Sequence, residues 1–261
     1  GEDVKEGTAI ARIGEKISVG QLALFASLGL TEIPVAKRPR IALLATGSEL
    51  KEPGETLAPG QIFESNRTAL TPLISNAGGL ATQFPIVEDD PKITRDALKS
   101  AFAENDIVIT CGGVSVGELD FVKSAFEELG GTLNFWKVAI KPGKPFVFGR
   151  LGSKFLFGLP GNPVSAFVTF LVLVRPALLR WQAAVELSLP VHRGRLAEGI
   201  SNPGDRRHFM RVRIASDGSI HSAGTQASHI LSALAMANAL LDVPPKTSLP
   251  AGAIASVLRW E

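Results

Sequence analysis

A glycine-rich loop that ends in acidic residues stands out in the stretch TCGGVSVGELDFVK, residues 110–123. Gly112 and Gly117 have the spacing of a P-loop, but Glu118 stands where that motif requires lysine. This replacement excludes a nucleoside triphosphatase of the P-loop class. The backbone N–H groups of such a loop can still bind an anion. Asp120 could bind a divalent cation beside that anion, or it could cap the helix that follows.

A second loop carries three lysines around a stiff turn. In FWKVAIKPGKP, alternation predicts that Lys137 and Lys141 lie on one face of a strand and that apolar side chains lie on the other. Lys144 follows a Pro-Gly turn, and the neighbouring prolines restrict the backbone. Three ammonium groups on a rigid turn suit an oxyanion, although a solvated strand end has the same pattern.

A third loop, GLPGNPVSAF, is predicted to begin a buried helix. Gly161 permits close backbone approach, and Asn162 and Pro163 are typical of a helix start. The free N–H groups and partial positive charge of such a helix end can bind an anion. Simple capping of the helix is the other interpretation.

Acidic residues follow two more apolar runs. Glu49 follows the first run of the central region, and Asp89 follows the second. We predict that Asp90, next in the chain, caps a helix and leaves Asp89 free to act. Carboxylates and lysines at comparable strand ends together predict a site for a polyanion and a metal ion.

The elements that must position these loops alternate over residues 38–182. Apolar runs such as RIALLAT and DIVIT have the length of buried strands, and capped helices separate them. This alternation predicts an α/β fold with a mostly parallel sheet and helices on both faces. Residues 183–261 contain shorter strand patterns and an SDGS turn, so we predict a small β-rich domain there. In residues 1–37 we predict one helix, Val19–Ser27, and this segment contains too little apolar sequence to form a core of its own.

Composition narrows the class of protein. The net charge of +2 and the dispersed basic residues give no indication of nucleic-acid binding. Cys111 is the only cysteine, which excludes an internal disulfide and favours a reducing cytoplasm; we predict that it is packed rather than nucleophilic. The apolar run at residues 166–174 is shorter than a membrane span. We therefore predict a cytoplasmic protein without a membrane partner. The histidines lack the spacing of metal ligands.

Six motifs in a fixed order carry a resemblance to one family: TGSEL, GQIFESNR, EDDP, GGVSVGELD, KPGKP and GLPGNPVSA. They resemble the molybdenum insertase family of MoeA and the E domain of gephyrin. Sister families that adenylate molybdopterin carry GGTG instead of GGVS. The resemblance implies a homodimer of four-domain subunits. Residues 1–37 would then be the end of the first domain, residues 38–182 the catalytic third domain, and residues 183–261 a β-barrel-like fourth domain. The start of the first domain and the whole second domain are expected to be missing here.

The resemblance also implies a reaction and its residues. The reaction is the Mg²⁺-dependent insertion of molybdate into the dithiolene of adenylylated molybdopterin, with release of AMP. The implied catalytic residues are Glu49, Asp89, Asp120, Lys137 and Lys141, and the three carboxylates would serve the magnesium or molybdate side. The implied substrate-binding residues are Thr46, Gly47, Ser48, Asn66, Gly112, Gly113, Ser115, Gly117, Glu118, Lys144, Pro160, Gly161, Asn162 and Pro163.

Two rival functions remain open at this stage. One is a gephyrin-like scaffold module that binds peptides and has little or no activity. The other is a relative that adenylates molybdopterin or cleaves nucleotides, which the GGVSVGE loop and the C-terminal region disfavour. The complete set of acids and lysines favours the transferase. Arg211 and Arg213 share one face of a predicted strand. They would either reach the site of a partner subunit, as the dimer of the family suggests, or face solvent.

Overall fold

The computed structural model describes residues 3–113 and 121–260, with Trp136 described by its backbone alone. Within these ranges the helices are α1 (Val19–Ser27), α2 (Asn66–Asn76), α3 (Pro91–Glu104), α4 (Phe121–Glu128), α5 (Pro163–Trp181) and α6 (Leu231–Ala235). The strands are β1 (Arg40–Ala45), β2 (Leu50–Lys51), β3 (Ile62–Phe63), β4 (Leu80–Gln83), β5 (Ile107–Cys111), β6 (Thr132–Lys137), β7 (Ile140–Lys141), β8 (Pro145–Leu151), β9 (Lys154–Leu159), β10 (Val191–Arg195), β11 (Ile200–Asn202), β12 (Arg207–Ile214), β13 (Ile220–Ser222), β14 (Ala239–Val243), β15 (Thr247–Leu249) and β16 (Ile254–Arg259).

The central sheet has the strand order β4-β1-β5-β9-β8-β6. Strands β4, β1, β5 and β9 pair in parallel, and β8 and β6 complete the sheet by antiparallel pairing. The prediction of an α/β fold with a mostly parallel sheet is therefore confirmed.

Helices cover both faces of this sheet because successive side chains of a strand point to opposite sides. Ile41 and Leu43 of β1 pack into a buried cluster with α2 and α5. Ala42 and Leu44 of the same strand pack into a second cluster with α3 and α4. Strands β1 and β5 are buried on both faces, which explains why their sequences are continuous apolar runs.

Local signals predicted several helix ends correctly. Asp90 accepts a hydrogen bond from the Ile93 N–H at 2.8 Å, and Pro91 is the first residue of α3. At α1, the Ser18 side chain accepts from the Gln21 N–H at 3.2 Å. These contacts satisfy N–H groups that have no partner inside the helix.

Helix α5 is long and apolar enough to cross a membrane, but half of its most apolar window is buried inside the protein. Phe167, Phe170 and Leu171 belong to the core that also contains β1 and α2. The middle of the helix, Phe170–Val174, has π-helical hydrogen bonding. Packing against the central sheet therefore accounts for the apolar composition of this helix.

The C-terminal region forms an antiparallel sheet of order β10-β16-β14-β12-β13. An isolated parallel bridge links Leu196, the residue after β10, to Ile220 of β13, so the two outer strands of this sheet approach each other. Residues such as Met210 and Val257 form a separate buried cluster inside it. The predicted hairpin between β12 and β13 is present, and the prediction of a β-rich region is confirmed.

The strand that carries the lysines differs from the prediction. Lys137 ends β6 in the central sheet, whereas Lys141 lies in β7, which pairs with β12 of the C-terminal sheet. The Val138 N–H donates to the Lys144 carbonyl at 3.1 Å, so the chain turns between the two strands. The expectation that Lys137 and Lys141 share one strand face is therefore wrong. Alternation is a local pattern, and it carries no information about the distant strand that pairs with residues 140 and 141.

The buried core is continuous across the predicted boundary at residues 182 and 183. Leu189, Phe209 and Leu240 belong to the same cluster as α5 and β1. The C-terminal region therefore shares one buried core with the helices α2 and α5 on that face of the central sheet.

Residues 3–37 contribute little to this core. Phe25 of α1 is buried, whereas Leu22 and Leu28 remain exposed. The Val185 N–H donates to the Gly14 carbonyl at 3.0 Å, which ties the segment to the end of α5.

Candidate functional site

A cavity of about 640 Å³ opens at the carboxyl ends of β1, β5 and β9. The chain connects β1 to β4 on one side and β5 to β9 on the other, so the cavity lies at a topological switch point, where α/β sheets commonly bind ligands. The predicted site residues that line it are Thr46, Gly47, Glu49, Asn66, Asp89, Gly112, Gly113, Pro160, Gly161, Asn162 and Pro163.

The glycines after β5 approach Thr46 too closely for any side chain. A Cβ atom on Gly112 would lie 2.5 Å from the Thr46 carbonyl oxygen, and one on Gly113 would lie 2.9 Å from Thr46 Oγ1. Both glycines have positive φ angles, +90° and +63°, which other residues rarely adopt. Thr46 Oγ1 is itself buried and has no hydrogen-bond partner among the described residues. This corner of the cavity thus combines exposed backbone with an unsatisfied hydroxyl group.

Two carboxylates also line the cavity, those of Glu49 and Asp89. The Glu49 side chain folds back over Gly47, where a Cβ atom would meet its carboxylate oxygen at 2.6 Å. The Ser48 N–H donates to Asp89 Oδ2 at 3.1 Å, and the Asp89 N–H donates to Ser48 Oγ at 3.0 Å. Ser48 therefore fixes the orientation of Asp89. Ser48 is not among the residues that line the cavity. Glu49 and Asp89 face the same space, as the sequence predicted.

The start of α5 forms a further wall. Asn66 Nδ2 donates to the Gly161 carbonyl at 2.8 Å and joins the first residue of α2 to this loop. Asn66 Oδ1 is buried without a partner in the described part of the chain. The Asn162 side chain makes no capping hydrogen bond, but the Val164 N–H donates to the Ser228 carbonyl at 3.3 Å. The C-terminal region therefore takes over part of the capping that the sequence assigned to Asn162.

Several lining residues were missed by the sequence reasoning: Leu50, Ile62, Phe63, Glu64, Ser65, Cys111, Pro145, His229 and Leu231. Glu64 is only 3% exposed and accepts hydrogen bonds from the Asn66 N–H at 2.5 Å and from the Arg67 N–H at 3.0 Å. It therefore caps α2, because Ser65, the residue directly before this helix, makes no side-chain capping bond. The motif GQIFESNR contained the signal, but a single acid before a helix does not reveal its partners.

Cys111 is buried at the end of β5. Burial, with a smaller effect of the nearby Glu64 carboxylate, raises the pKa of its thiol. The thiol therefore stays protonated and poorly nucleophilic, in keeping with the predicted packing role.

None of the three lysines of this loop is among the residues that line the cavity. Lys137 pairs with Pro145, a lining residue that directly follows Lys144. Lys141 pairs with His208 of β12. Burial, and then the charges of Lys141, Arg211 and Arg206, lower the pKa of His208 to about 4. The loop thus contributes positive charge where the C-terminal region meets the central sheet.

Arg211 is fully buried, which excludes the solvent-facing alternative for this residue, whereas Arg213 is exposed. The Nη2 group of Arg211 donates to the carbonyls of Thr225 and Ala227, at 2.6 and 3.2 Å. Its Nε and Nη1 groups are buried and have no partner among the described residues. Burial lowers the pKa of this guanidinium. The segment that Arg211 holds continues to His229, which lines the cavity.

Four predicted residues, Ser115, Gly117, Glu118 and Asp120, lie outside the residues that the structure describes. Their roles in substrate or metal binding stay predictions. In residues 3–113 and 121–260, no group of three His, Cys, Asp or Glu side chains is arranged to hold a metal ion.

Comparison with known proteins identifies the two parts of the chain. Residues 42–180 match the model of a probable molybdopterin binding domain, and residues 193–260 match the MoeA C-terminal region (domain IV). A molybdopterin molybdenumtransferase of Haemophilus influenzae is 37% identical over 246 residues, which cover 92% of this chain and 61% of that protein. Molybdopterin molybdenumtransferase 2 of Mycobacterium tuberculosis is 39% identical over 250 residues, which cover 94% and 62%.

A solved structure agrees with these relatives. The crystal structure of a molybdopterin biosynthesis MoeA protein from Pyrococcus horikoshii OT3 is 28% identical with a TM-score of 0.82, and the match covers 100% of this chain and 63% of that one. The chain thus spans about three fifths of the length of the relatives it matches. It belongs to the family of probable molybdopterin-binding domains and carries the MoeA C-terminal region beside that domain.

Proposed function

We propose that this chain acts in molybdenum cofactor biosynthesis as a molybdopterin molybdenumtransferase. It inserts molybdate into adenylylated molybdopterin in a Mg²⁺-dependent reaction and releases AMP. The observation that carries this proposal is the cavity at the switch point, where close-approach glycines, unpaired buried polar atoms and two carboxylates meet. Two relatives with 37% and 39% identity bear the name molybdopterin molybdenumtransferase.

The glycine side of the cavity binds the pterin nucleotide. Gly112 and Gly113 line the cavity with backbone and no side chain, and the first turn of α5 adds the positive end of a helix dipole. Thr46 Oγ1 and Asn66 Oδ1 have no hydrogen-bond partner in the part of the chain that the structure describes, and an unsatisfied buried polar atom is costly. Donor groups on a pterin or ribose would satisfy the Asn66 acceptor.

The acidic side of the cavity suits Mg²⁺. Glu49 and Asp89 offer oxygen ligands, and Mg²⁺ commonly takes one or two protein carboxylates and completes its shell with water and substrate phosphates. Asp120 remains the predicted third carboxylate. The ion, when bound, would neutralise the phosphate charge that develops as AMP leaves. Ser48 keeps the Asp89 carboxylate oriented towards that position.

The basic groups beside the cavity suit the molybdate oxyanion. Strand β12 carries Arg211 and pairs with β7, so it brings the Arg211 guanidinium and Lys141 into neighbouring strands. In residues 3–113 and 121–260, the Nε and Nη1 groups of Arg211 find no acceptor, and charge-assisted hydrogen bonds to an oxyanion would supply one. Lys144 belongs to the same loop as Lys141. We assign both lysines to this anion.

We further propose that the chain works in the cytoplasm and as a homodimer. The exposed apolar residues of the N-terminal segment, among them Leu22 and Leu28, support self-association, because a partner surface would remove them from water. Sedimentation at micromolar concentration tests this part. A stable monomer would contradict it.

AMP release from adenylylated molybdopterin is the direct test of the activity. The purified chain is expected to release AMP only when molybdate and Mg²⁺ are both present, and Glu49→Gln is expected to reduce this release strongly. Glu88→Gln is the matched control, because it removes one exposed negative charge next to Asp89 outside the cavity lining. A folded wild-type chain that binds the nucleotide but releases no AMP would contradict the activity and favour a scaffold role.

A further inference from the structure

A buried arginine joins three of the backbone segments that build the candidate site. Arg67 lies in the first turn of α2, its side chain is 4% exposed, and it is not among the residues that line the cavity. Its Nε donates to Glu64 Oε2 at 2.9 Å, and its Nη2 donates to both carboxylate oxygens of Glu52 at 2.8 Å. Its Nη1 donates to the Phe84 carbonyl at 2.5 Å.

The first of these segments is an arm, residues 50–63, that forms one side of the cavity. Strands β2 and β3 pair in parallel within it, and the Ile62 N–H donates to the Glu49 carbonyl at 2.9 Å. Ile62 and Phe63 line the cavity although both are exposed, which shows that the arm has little apolar core of its own. Glu52 is the residue through which Arg67 holds the arm.

The second segment is the Asp89 segment, residues 84–89. The Phe84 N–H donates to the Leu43 carbonyl at 3.0 Å, and the Val87 N–H donates to the Ala45 carbonyl at 2.9 Å, so the segment follows the end of β1. Its last residue, Asp89, faces the same cavity as Glu49. Arg67 contacts the beginning of this segment at the Phe84 carbonyl.

The third segment is the start of α2. Glu64 accepts the N–H groups of Asn66 and Arg67 through one carboxylate oxygen and the Arg67 guanidinium through the other. Glu64 is a lining residue, yet its two oxygens are occupied, so it is unsuited to binding a metal ion. Burial favours a lower pKa for Arg67, but the hydrogen bonds of Glu52 and Glu64 outweigh it and raise that pKa, so the guanidinium remains charged.

We propose that Arg67 is a positioning residue for the reaction, an inference that rests on the proposed function. It fixes the arm and the Asp89 segment to one helix end. This places the Glu49 and Asp89 carboxylates, which come from different segments, on one cavity. Only a planar guanidinium can make these three contacts at once, because an ammonium group offers a single nitrogen.

The most selective variant is Glu52→Gln, because it is expected to affect the arm alone. Glu52 is 50% exposed, so this substitution loosens the arm but leaves the buried Arg67–Glu64 pair intact. Arg67→Lys loosens the arm and the Asp89 segment together. The double variant Arg67→Met with Glu64→Gln removes both buried charges, so it leaves no lone buried ion if Arg67→Lys fails to fold. Glu127→Gln on α4 is the control for the loss of one exposed carboxylate.

Hydrogen exchange of the full chain measures how firmly the arm and the Asp89 segment are held, and it needs no activity assay. Glu52→Gln is expected to speed exchange in residues 50–63 alone. Arg67→Lys and the double variant are expected to speed exchange in residues 50–63 and 84–89, with α3 and α4 unchanged. Glu127→Gln should leave all of these segments as in the wild type. Exchange that rises over the whole chain, or in neither segment, would overturn the proposal.

AMP release adds the kinetic readout. A shift of about 1 Å between reacting groups costs on the order of 100-fold in rate, so Arg67→Lys is expected to lower kcat by about 10- to 100-fold. The KM for molybdate should change less than about threefold, because the substitution is expected to disturb the transition state rather than the binding of the substrate. An unchanged kcat in a folded Arg67→Lys chain would also overturn the proposal. If the wild-type chain itself releases no AMP, the proposed function fails, and the exchange pattern still decides the role of Arg67.

Discussion

Ser48 and Asp89 hold each other through two reciprocal backbone-to-side-chain hydrogen bonds, at 3.1 and 3.0 Å. The pair joins the loop after β1 to the segment that follows β4. It leaves Asp89 facing the cavity together with Glu49. A carboxylate held in this way is suited to a magnesium ligand, because its orientation is set before the ion arrives.

Asp89→Asn is expected to raise the Mg²⁺ concentration for half-maximal AMP release by about 10-fold or more. The loss of a charge-assisted contact is worth roughly 1.5–3 kcal/mol, and about 1.4 kcal/mol corresponds to tenfold. Ser48→Ala removes one neutral hydrogen bond, and we expect a smaller rise of about two- to tenfold. The measurement is a Mg²⁺ titration of AMP release.

Asp90→Asn is the matched control for this titration. Asp90 caps α3 through the Ile93 N–H, and asparagine is an equally good cap. We therefore expect a shift of less than about twofold. An Asp89→Asn titration that coincides with that of Asp90→Asn would remove Asp89 from the metal site.

Gly112→Ala is expected to abolish binding of the pterin nucleotide and to destabilise the fold. The left-handed backbone at φ +90° costs a residue with a Cβ about 1–2 kcal/mol. The new Cβ would also displace the Thr46 carbonyl, which lies 2.5 Å from its position. Gly130→Ala isolates the first effect, because Gly130 has φ +85° but open space around a Cβ.

Urea unfolding and calorimetric titration of the nucleotide check both glycine variants. Gly130→Ala should lose about 1–2 kcal/mol and bind normally. Gly112→Ala should lose more and fail to bind. Equal effects of the two variants would mean that the close approach to Thr46 has no role in the site.

Patterns within one element predicted most of the fold. The apolar runs RIALLAT and DIVIT are strands β1 and β5, and Asp90 with Pro91 begins α3 as expected. The strand-helix alternation predicted a mostly parallel sheet with ligands beyond the carboxyl ends of its strands. The strand order that places the cavity between β1 and β5 comes from the structure alone. Gly112, Gly113, Glu49 and Asp89 line this cavity, and their positions at strand ends had marked them in the sequence.

Contacts between distant residues could not be predicted in the same way. Arg67 and Glu64 look like a polar start of a helix in the sequence, and only the fold reveals that Arg67 also reaches Glu52 and Phe84. The pairing of β7 with β12 of the C-terminal sheet could not be predicted from local patterns, because Ile140 and its partner Arg207 are far apart in the chain. The position of His229 in the cavity lining could not be predicted either, because it depends on the packing of the C-terminal region over α5.

His208 is expected to make the protein less stable in mild acid. Its side chain is 3% exposed, and burial with the charges of Lys141, Arg211 and Arg206 lowers its pKa to about 4. The unfolded chain, with a histidine pKa near 6.5, binds the proton more readily. Stability from this group is therefore complete above about pH 6.5 and is lost as the pH falls towards 4.

Urea unfolding of His208→Gln at pH 7 and pH 4.5 tests this linkage. The wild type should lose roughly 2–3 kcal/mol more between these pH values than the variant, since one pKa unit corresponds to 1.36 kcal/mol. His221→Gln is the control, because His221 is exposed. If the wild type and His208→Gln lose equal stability, His208 is not the group that titrates.

Lys141→Ala is expected to weaken the binding of molybdate. A charge-assisted hydrogen bond to an oxyanion is worth roughly 1.5–3 kcal/mol, so the KM for molybdate should rise about 10- to 150-fold. The defect should shrink at high molybdate, because the lost interaction is one of binding. Lys154→Ala is the control, since Lys154 donates to the Phe102 carbonyl at the end of α3, away from the cavity lining. A lower kcat with an unchanged KM would contradict this assignment.

Asp120→Asn tests the predicted role of the glycine loop in binding the metal or molybdate. The substitution removes a charge and keeps the shape of the side chain. If Asp120 completes the acidic side beside Glu49 and Asp89, calorimetry should show nearly normal nucleotide binding, while AMP release with saturating molybdate and Mg²⁺ should collapse. If Asp120 only caps α4, asparagine replaces it well and both measurements should stay close to the wild type. An active Asp120→Asn protein would therefore leave Glu49 and Asp89 as the only carboxylates of the predicted set to serve the ion.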